Sequence, residues 1–328
     1  MYRRTPDPQT EVAFEAQADQ VLATIVGPDL AADVHQLLTE IEPDLFISDC
    51  MLPAALTAAE AAGIATASVV HFLYGPIRAQ MTSTGTAWFP DLPRLNMTRA
   101  TLGLVPLQHP LQAWEAADVL LVTAPRWLDT LADFPTHVVH AGPLGIRRPG
   151  KPREGLTRDR ARVLISFSTT VMDGQRHLVQ AACDAVAEAD VTAVLTLGPA
   201  LSGLSIRAPE NVTMLPFADH DGVLTGADAV INHAGLGTSL RSLAHGIPQL
   251  MLPLGRDQHL NADRIARLGA GLVLAADSSP ARIRAALERL MGEDHFRSAA
   301  VQAAGRIAAG EPDLSAAWAL ERACECWR

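Results

Sequence analysis

Short runs rich in β-branched residues alternate with Ala-rich amphipathic runs along most of the chain, and this alternation constrains the fold more than any other feature. The β-branched runs predict strands at 44–49, 64–70, 118–123, 138–143, 162–167, 192–197, 212–215, 229–232 and 249–254. The amphipathic runs predict helices at 31–42, 53–62, 125–128, 175–189, 237–245, 261–268 and 312–327. Strands that alternate with helices build parallel sheets, so we expect an α/β fold.

The chain is long enough for two such α/β domains. It has 328 residues, and 48% of them are hydrophobic, which suits chains that form a packed core. Arg, Lys, Pro and Gly crowd together between the two series of strands, which is typical of a linker. We therefore expect a first domain over 1–146, a linker over 147–160, a second domain over 161–310, and a helix over 311–328 that packs back on the first domain.

Composition excludes several classes of function. The formal net charge of -10 disfavours binding to a nucleic-acid backbone, which needs clustered Lys and Arg. The four cysteines match neither a disulfide framework nor a zinc site. Two arginines in Met1–Pro8 are followed by turn formers and charge, so we expect no signal peptide there, and no apolar run reaches the roughly 18 residues of a membrane span. We expect a cytoplasmic protein with no stable membrane insertion.

The segment Asn232-His233-Ala234-Gly235-Leu236-Gly237-Thr238 has the pattern of a strand-to-helix turn that holds a diphosphate. Gly235 and Gly237 remove Cβ atoms where a phosphate approaches the backbone. The N–H groups of the first helical turn and the helix dipole attract anions. His233 can donate a ring N–H to a phosphate oxygen, and Thr238 adds a hydroxyl.

Two further polar segments follow predicted strands. Asp257 and Gln258 come after the strand at 249–254, and their carboxylate and amide suit the vicinal hydroxyls of a sugar. Helix capping by Asp257 is an equally good interpretation of that residue. The turn Ser168-Thr169-Thr170 follows the strand at 162–167, and alone it is a weak signal because such turns often cap helices.

These segments together resemble the donor-site signature of family 1 glycosyltransferases. The similarity is carried by 232–238, by Ala244-His245-Gly246-Ile247-Pro248-Gln249 and by Asp257-Gln258-His259-Leu260-Asn261-Ala262. The resemblance implies the GT-B fold, with two facing Rossmann-like domains of which the N-terminal one is truncated. It also implies a UDP- or TDP-sugar as co-substrate, inversion at the anomeric carbon, and no required metal or other cofactor.

The resemblance also assigns roles to residues of this chain. The donor diphosphate falls to Thr169, His233, Gly235, Gly237 and Thr238; the nucleoside to Phe217, Ala218 and His220; the donor sugar to Asp257 and Gln258. Asp49, at the end of a predicted strand, matches the acid that orients the catalytic histidine of the family.

The chain departs from the family pattern at its N-terminus. The family opens with a short strand and a Gly-His turn whose histidine is the general base, and no such opening precedes the strand at 44–49. Relative to a domain of ordinary size, roughly sixty residues are missing. A misassigned start, a separate chain that completes the domain, and a degenerate homologue without turnover are three alternatives. His71 is a candidate substitute base, although a role in the acceptor pocket or in packing is favoured for it.

The resulting prediction is a glycosyltransferase that moves a sugar to a hydroxyl of a small hydrophobic acceptor in natural-product biosynthesis. An apolar segment with His71, Phe72 and Tyr74 is the predicted acceptor wall, together with Met81, Trp88 and Phe89. The alternatives are a catalytically impaired or auxiliary nucleotide-sugar-binding homologue, and a GT-B-fold sugar-nucleotide epimerase. The protein partners predicted are a second copy in a dimer or an auxiliary chain that completes the N-terminal domain.

Overall fold

The computed structural model describes residues 20–83, 91–131, 133–146, 159–201, 203, 205–310 and 316–326. The chain divides into two compact units, one formed by Met1–Gly142 with Asp313–Arg328 and the other by Pro143–Pro312. Most of the predicted linker, residues 147–158, lies outside the described residues, as do Met1–Pro8, Trp88 and Phe89.

The first unit is built on a parallel sheet. Its elements in chain order are α1 (Pro28–Ile41), β1 (Phe46–Asp49), α2 (Pro53–Ala62), β2 (Thr66–Val70), α3 (Tyr74–Ser83), α4 (Leu92–Thr101), α5 (Gln112–Glu115), β3 (Val119–Val122) and β4 (Val138–His140). The strands lie in the order β1-β2-β3-β4. In the register of β1 and β2, Asp49 lies opposite Val69, so the two strands end side by side.

A C-terminal helix, α13 (Ala316–Cys326), belongs to this first unit. Ala319 and Ala323 are buried in one hydrophobic cluster with Ala67, Val119 and Leu121 of strands β2 and β3. Alanine has a short side chain, so the backbone of the helix can approach the backbone of the sheet closely. The end of the chain therefore covers a face of the first sheet.

The second unit contains the larger sheet. Its elements are β5 (Ala161–Ser166), α6 (Gln175–Ala187), β6 (Val191–Thr196), α7 (Gly198–Leu201), β7 (Val212–Leu215), α8 (His220–Leu224), β8 (Ala229–Asn232), α9 (Leu236–Ala244), β9 (Gln249–Met251), α10 (Gln258–Arg267), β10 (Gly271–Val273), α11 (Pro280–Gly292) and α12 (Asp294–Ala309). All pairings are parallel, in the order β10-β9-β8-β5-β6-β7.

Strand order in this sheet reverses between β5 and β8. From β5 the chain proceeds outward through β6 and β7, and then it returns to β8 on the other side of β5. In open parallel sheets, ligands bind in the crevice at the carboxyl ends of the strands where the order reverses. The fold therefore directs attention to the loops that follow β5 and β8.

The predicted helix over 125–128 is wrong. Leu128 and Asp129 each donate a backbone N–H to the carbonyl of Pro125, which closes one turn and no more. The Asp129 carboxylate then accepts from the backbone N–H groups of Tyr74 and Gly75 at distances of 3.1 and 2.7 Å. Asp129 thus serves the start of α3, and the chain does not continue as a helix.

In the described part of the chain, no helix combines the length and the apolar composition that crossing a membrane requires.

Replacement of Ala319 by Asp tests the packing of α13. We expect Ala319→Asp to lower the free energy of unfolding by about 2 kcal/mol or more, because a carboxylate would be buried against apolar side chains. Ala317 lies on the same helix but is exposed, so Ala317→Asp is the matched control and should change stability little. Urea unfolding of both variants measures the difference, and equal stabilities would contradict this packing.

Candidate functional site

The turn between β8 and α9 lies at the carboxyl edge where the strand order reverses. β8 ends at Asn232 and α9 begins at Leu236, with Gly235 as its N-cap residue. Gly235 supplies no side chain, and no other side chain caps this end of the helix among the described residues. The first N–H groups of α9 thus have the arrangement that binds anions at helix N-termini.

The Asn232 side chain shapes this turn. Its Oδ1 accepts a hydrogen bond from the backbone N–H of Ala234 at 2.7 Å. Ala234 has a φ of 62°, in the left-handed region that costs free energy for a residue with a Cβ. The Ala234 carbonyl in turn accepts from Nδ2 of Asn261 at 3.0 Å. Bonds on both sides of Ala234 therefore hold a backbone conformation that the residue does not prefer.

A buried chain of amides extends from this turn. Nδ2 of Asn232 donates to Oε1 of Gln249 at 2.8 Å, and Nε2 of Gln249 donates to the carbonyl of Ser239 in α9 at 3.0 Å. Nδ2 of Asn261 also donates to Oδ2 of Asp257 at 2.7 Å. Gln249 and Asn261 belong to the segments that carry the family resemblance, but the sequence assigns them no role. Their contacts show that they lock the turn to β9 and α10.

His233 is buried beside the turn, with 8% of its surface exposed. Its Nδ1 atom has no hydrogen-bond partner among the described residues. Burial lowers the pKa of His233 to about 4, against the opposing effect of a hydrogen bond with the Ser166 backbone, and the charge of Arg256 lowers it further. The ring is therefore neutral near pH 7, so it offers hydrogen bonding to a ligand but no charge.

The two predicted glycines of the turn differ in their surroundings. A Cβ on Gly235 would lie 2.5 Å from Nε2 of His233, whereas a Cβ on Gly237 would meet only Nη1 of Arg241 at 3.8 Å. Gly235 is thus required by the position of the histidine ring. In the first turn of α9, Gly237 is exposed and Thr238 is half-buried. Thr169 is exposed in the loop that follows β5.

Asp257 and Gln258 make hydrogen bonds inside the protein. Oε1 of Gln258 accepts from the backbone N–H groups of Leu254 and Gly255 at 2.7 and 3.2 Å, which shapes the loop before α10. Asp257 precedes α10, but its carboxylate does not cap that helix; it accepts from Asn261 instead. The capping interpretation is therefore wrong, and contact of these two residues with a sugar stays a prediction.

The predicted nucleoside residues lie in the loop after β7 and at the start of α8. Phe217 is 83% exposed, which is unusual for a large apolar ring and suits stacking against a flat base. Ala218 is half-buried beside it. Nε2 of His220 lies 3.3 Å from Oγ of Ser166, which connects this loop to the end of β5. The nucleoside assignment stays a prediction.

In the first unit, the structure gives Asp49 a partner. The family resemblance pairs Asp49 with the histidine of an N-terminal Gly-His turn, whereas in the structure Oδ2 of Asp49 lies 3.2 Å from Nδ1 of His71. The parallel register explains this, because β1 ends at Asp49 beside Val69 and His71 follows β2 directly. Partial burial raises the pKa of Asp49, but hydrogen bonds from His71 and from the backbone of Met51 outweigh it, so the pKa is lowered overall.

The thiol of Cys50 lies close to this pair. One donor atom each from Asp49, Cys50 and His71 fall within 4.8 Å of one another, a spacing that could hold a metal ion. Burial, followed by the charge of Asp49, raises the pKa of the Cys50 thiol well above its usual value. A protonated thiol is a weak metal ligand, so we interpret Asp49 and His71 as an imidazole–carboxylate pair.

The predicted acceptor wall needs correction. Phe72 is buried and stacks on Trp114 with ring centroids 6.1 Å apart. Tyr74 is fully buried, and its hydroxyl donates to Oε1 of Glu115 at 2.7 Å. Met81 is buried as well. These side chains form the core around α3 and α5, so of the described residues predicted for the wall only His71 presents a substantial exposed surface.

Alanine substitutions at the two glycines of the turn form a matched pair. We expect Gly235→Ala to displace the His233 ring and to lower the melting temperature by several degrees, since the added methyl group overlaps ring atoms. Gly237→Ala should keep or raise the melting temperature, because the site has room and Ala favours helix. Thermal unfolding measures both, and a Gly235→Ala variant as stable as the wild type would contradict the ring position.

The pKa of His233 predicts a pH dependence of stability. The ring has a pKa of about 4 in the folded chain and an ordinary value of 6.5, so the unfolded chain binds more protons between these pH values. The stabilising contribution is therefore complete above about pH 6.5 and is lost as the pH falls toward 4. We expect the wild type to lose about 2 kcal/mol more than His233→Asn between about pH 7.5 and pH 5. Urea unfolding at both pH values measures this, and equal losses would contradict it.

Comparison with known proteins agrees with this architecture. Residues 180–315 match the family described as erythromycin biosynthesis protein CIII-like, C-terminal domain. The chain is 38% identical over 130 residues to aclacinomycin-T 2-deoxy-L-fucose transferase of Streptomyces galilaeus, a match that covers 38% of this chain and 29% of that protein. It is 29% identical over 128 residues to a sterol 3-beta-glucosyltransferase of Saccharomyces cerevisiae, covering 37% of this chain and 11% of the relative.

Solved structures cover more of the chain. The glycosyltransferase VinC, solved in complex with dTDP, superposes with a TM-score of 0.69 at 25% identity and covers 95% of this chain and 79% of its own. The kitacinnamycin glycotransferase superposes with a TM-score of 0.72 at 21% identity, covering 99% and 84%, which supports the fold alone. The predicted GT-B fold is confirmed. The chain therefore shares the fold of natural-product glycosyltransferases, and over residues 180–315 it is similar to the erythromycin biosynthesis protein CIII-like C-terminal domain.

Proposed function

We propose that the protein transfers a hexose or deoxyhexose from UDP or TDP to a hydroxyl of a small hydrophobic acceptor, with inversion and without a metal ion. The observation that carries the proposal is the rigid turn after β8. It combines an uncapped helix N-terminus with a buried, neutral His233 whose Nδ1 has no partner among the described residues. A diphosphate offers acceptor oxygens and negative charge, which both features suit.

Two structural neighbours were solved with a bound thymidine diphosphate, which supports a nucleoside diphosphate as the ligand proposed for this chain. VinC was solved with dTDP, and a spinosyn rhamnosyltransferase was solved with thymidine diphosphate. The second neighbour is 21% identical, so its likeness supports the fold alone.

We also propose a cytoplasmic location, since the described cysteines Cys50, Cys183 and Cys324 are free thiols.

We assign the general base to His71. Asp49 holds Nδ1 of the ring, which favours the tautomer with the proton on Nδ1 and leaves Nε2 as the basic atom. Both side chains are partly exposed, 40% for His71 and 46% for Asp49, whereas the pairs His140–Asp129 and His245–Asp221 are buried. A base must reach its proton, which disfavours the two buried pairs. His295 and Glu293 form another exposed pair, but they lie at the start of α12, whereas Asp49 and His71 lie at the carboxyl ends of β1 and β2, the edge of a parallel sheet where ligands bind.

The proposed sugar transfer is a single displacement at the anomeric carbon. Nε2 of His71 takes the proton of the acceptor hydroxyl, and the hydroxyl oxygen forms a bond to the anomeric carbon from the face opposite the diphosphate. The bond between that carbon and the diphosphate oxygen breaks, and its electron pair leaves with the nucleoside diphosphate. Asp49 stabilises the imidazolium, because its lowered pKa keeps it ionised.

Nucleotide binding and turnover test the proposal together. We expect calorimetry to detect UDP or TDP binding, and we expect release of that nucleotide from UDP- or TDP-hexoses when hydroxylated aromatic acceptors are added. Excess EDTA should leave the rate unchanged. Failure to bind either nucleotide would overturn the donor site, and binding without transfer would favour an auxiliary nucleotide-sugar-binding protein.

Substitution of the base gives a separate prediction. We expect His71→Gln to lower kcat by about 10²–10⁴-fold while donor affinity is kept, since general base catalysis contributes on that scale. Asp49→Asn should lower kcat as well. His295 is 60% exposed on α12 and pairs with Glu293, so His295→Gln is the matched control and should retain full activity. Undiminished kcat in His71→Gln would exclude it as the base.

A further inference from the structure

Two loops of the second unit meet across the turn after β8. In the sheet, β8 lies between β9 and β5, so the turn at His233 is flanked by the loop over 252–257 and the loop over 167–174. These flanking loops contact each other directly. Nη1 of Arg256 donates to Oγ1 of Thr170 at 3.1 Å, and Nε2 of Gln258 lies 3.0 Å from the sulfur of Met172. Because the loops that follow β9 and β5 lie on either side of β8, their contacts lie beside the carboxyl end of β8.

Arg256 has an unusual backbone for its type. Its φ is 55°, in the left-handed region that favours glycine, and its side chain is exposed. Residues held in such conformations cost free energy and cluster where ligands bind. Gly255 is the preceding residue, but the left-handed conformation falls on Arg256. A glycine at position 256 would adopt the same backbone conformation with less strain.

The charge of Arg256 is not neutralised within the described structure. No carboxylate among the described residues forms an ion pair with it, and its hydrogen bond goes to a neutral hydroxyl. Arg241, the other arginine near the turn, lies 3.8 Å from the carboxylate of Asp221. Arg256 is close enough to His233 that its charge lowers the pKa of that ring. A formal positive charge therefore lies next to a neutral histidine at an uncapped helix N-terminus.

We propose that Arg256 is a ligand of the donor diphosphate and stabilises it as the leaving group. The inference rests on the proposed function, and it names the charge that the site uses. When the bond from the anomeric carbon to the diphosphate oxygen breaks, that oxygen gains negative charge. The guanidinium of Arg256 pairs with the charge, while His233 and the N–H groups of α9 supply uncharged hydrogen bonds.

The strained φ makes a sharp test available. Arg256→Gly removes the charge and also removes the conformational cost, so the variant should fold with an unchanged or higher melting temperature. We expect its affinity for UDP and TDP, measured by calorimetry, to fall about ten- to a hundredfold, the effect of losing a hydrogen bond between charged groups. Affinity for uridine or thymidine, which lack phosphates, should stay unchanged.

Two further variants separate charge at this position from charge in general. Arg256→Lys keeps the charge and should lose less affinity than Arg256→Gly. Arg267 lies at the other end of α10 and pairs with Asp263, so Arg267→Gln removes one positive charge away from the turn and should keep wild-type affinity. The wild-type affinity should also fall more steeply with salt than that of Arg256→Gly.

The outcomes distinguish this inference from the function on which it rests. If the wild type binds UDP or TDP and Arg256→Gly binds it within twofold, Arg256 is not a diphosphate ligand, although the donor site stands. A loss of equal size for the nucleosides would assign Arg256 to shaping the loop. If the wild type binds neither nucleotide, both proposals are overturned.

Discussion

The hydrogen bonds of Asn232 are the interaction on which the rest of the site depends. Asn232 is fully buried, and the two polar atoms of its amide serve different purposes: Oδ1 accepts from the backbone N–H of Ala234, and Nδ2 donates to Gln249. A buried amide that lost one partner would leave a polar group unsatisfied, at a cost of roughly 1–3 kcal/mol. The turn and the neighbouring strand are therefore coupled, and His233 takes its position from both.

This turn is predictable from the sequence because its signals are local. A buried strand, a histidine, two glycines and a helix follow one another within ten residues, and each is recognisable from its neighbours alone. The parallel strands were predictable for the same reason. The roles of Gln249 and Asn261 were not, since their partners Asn232 and Ala234 lie 17 and 27 residues away in the chain. Only the sheet brings them together.

In the first unit too, contacts between residues far apart in the chain could not be predicted from the sequence, and here they involve side chains that follow strands. His71, Phe72 and Tyr74 share one short segment, and sequence alone gives no reason to separate them. Their fates differ because Trp114 and Glu115, some forty residues later, cover Phe72 and Tyr74, while Asp49 lies beside His71 and leaves it partly exposed. Register between β1 and β2 creates the Asp49–His71 pair, and no pattern in one segment encodes a register between two.

Backbone strain in the second unit is concentrated at the edge of the sheet that is proposed to bind the donor. Of the three described non-glycine residues with positive φ, Ala234 and Arg256 lie in adjacent loops at the carboxyl edge of the sheet. Each forms a hydrogen bond with a distant element: the Ala234 carbonyl accepts from Asn261, and the Arg256 side chain donates to Thr170. Strain that persists must be offset by surrounding contacts. At this edge the loops also place a neutral imidazole and a guanidinium that forms no ion pair with a described carboxylate beside a helix N-terminus.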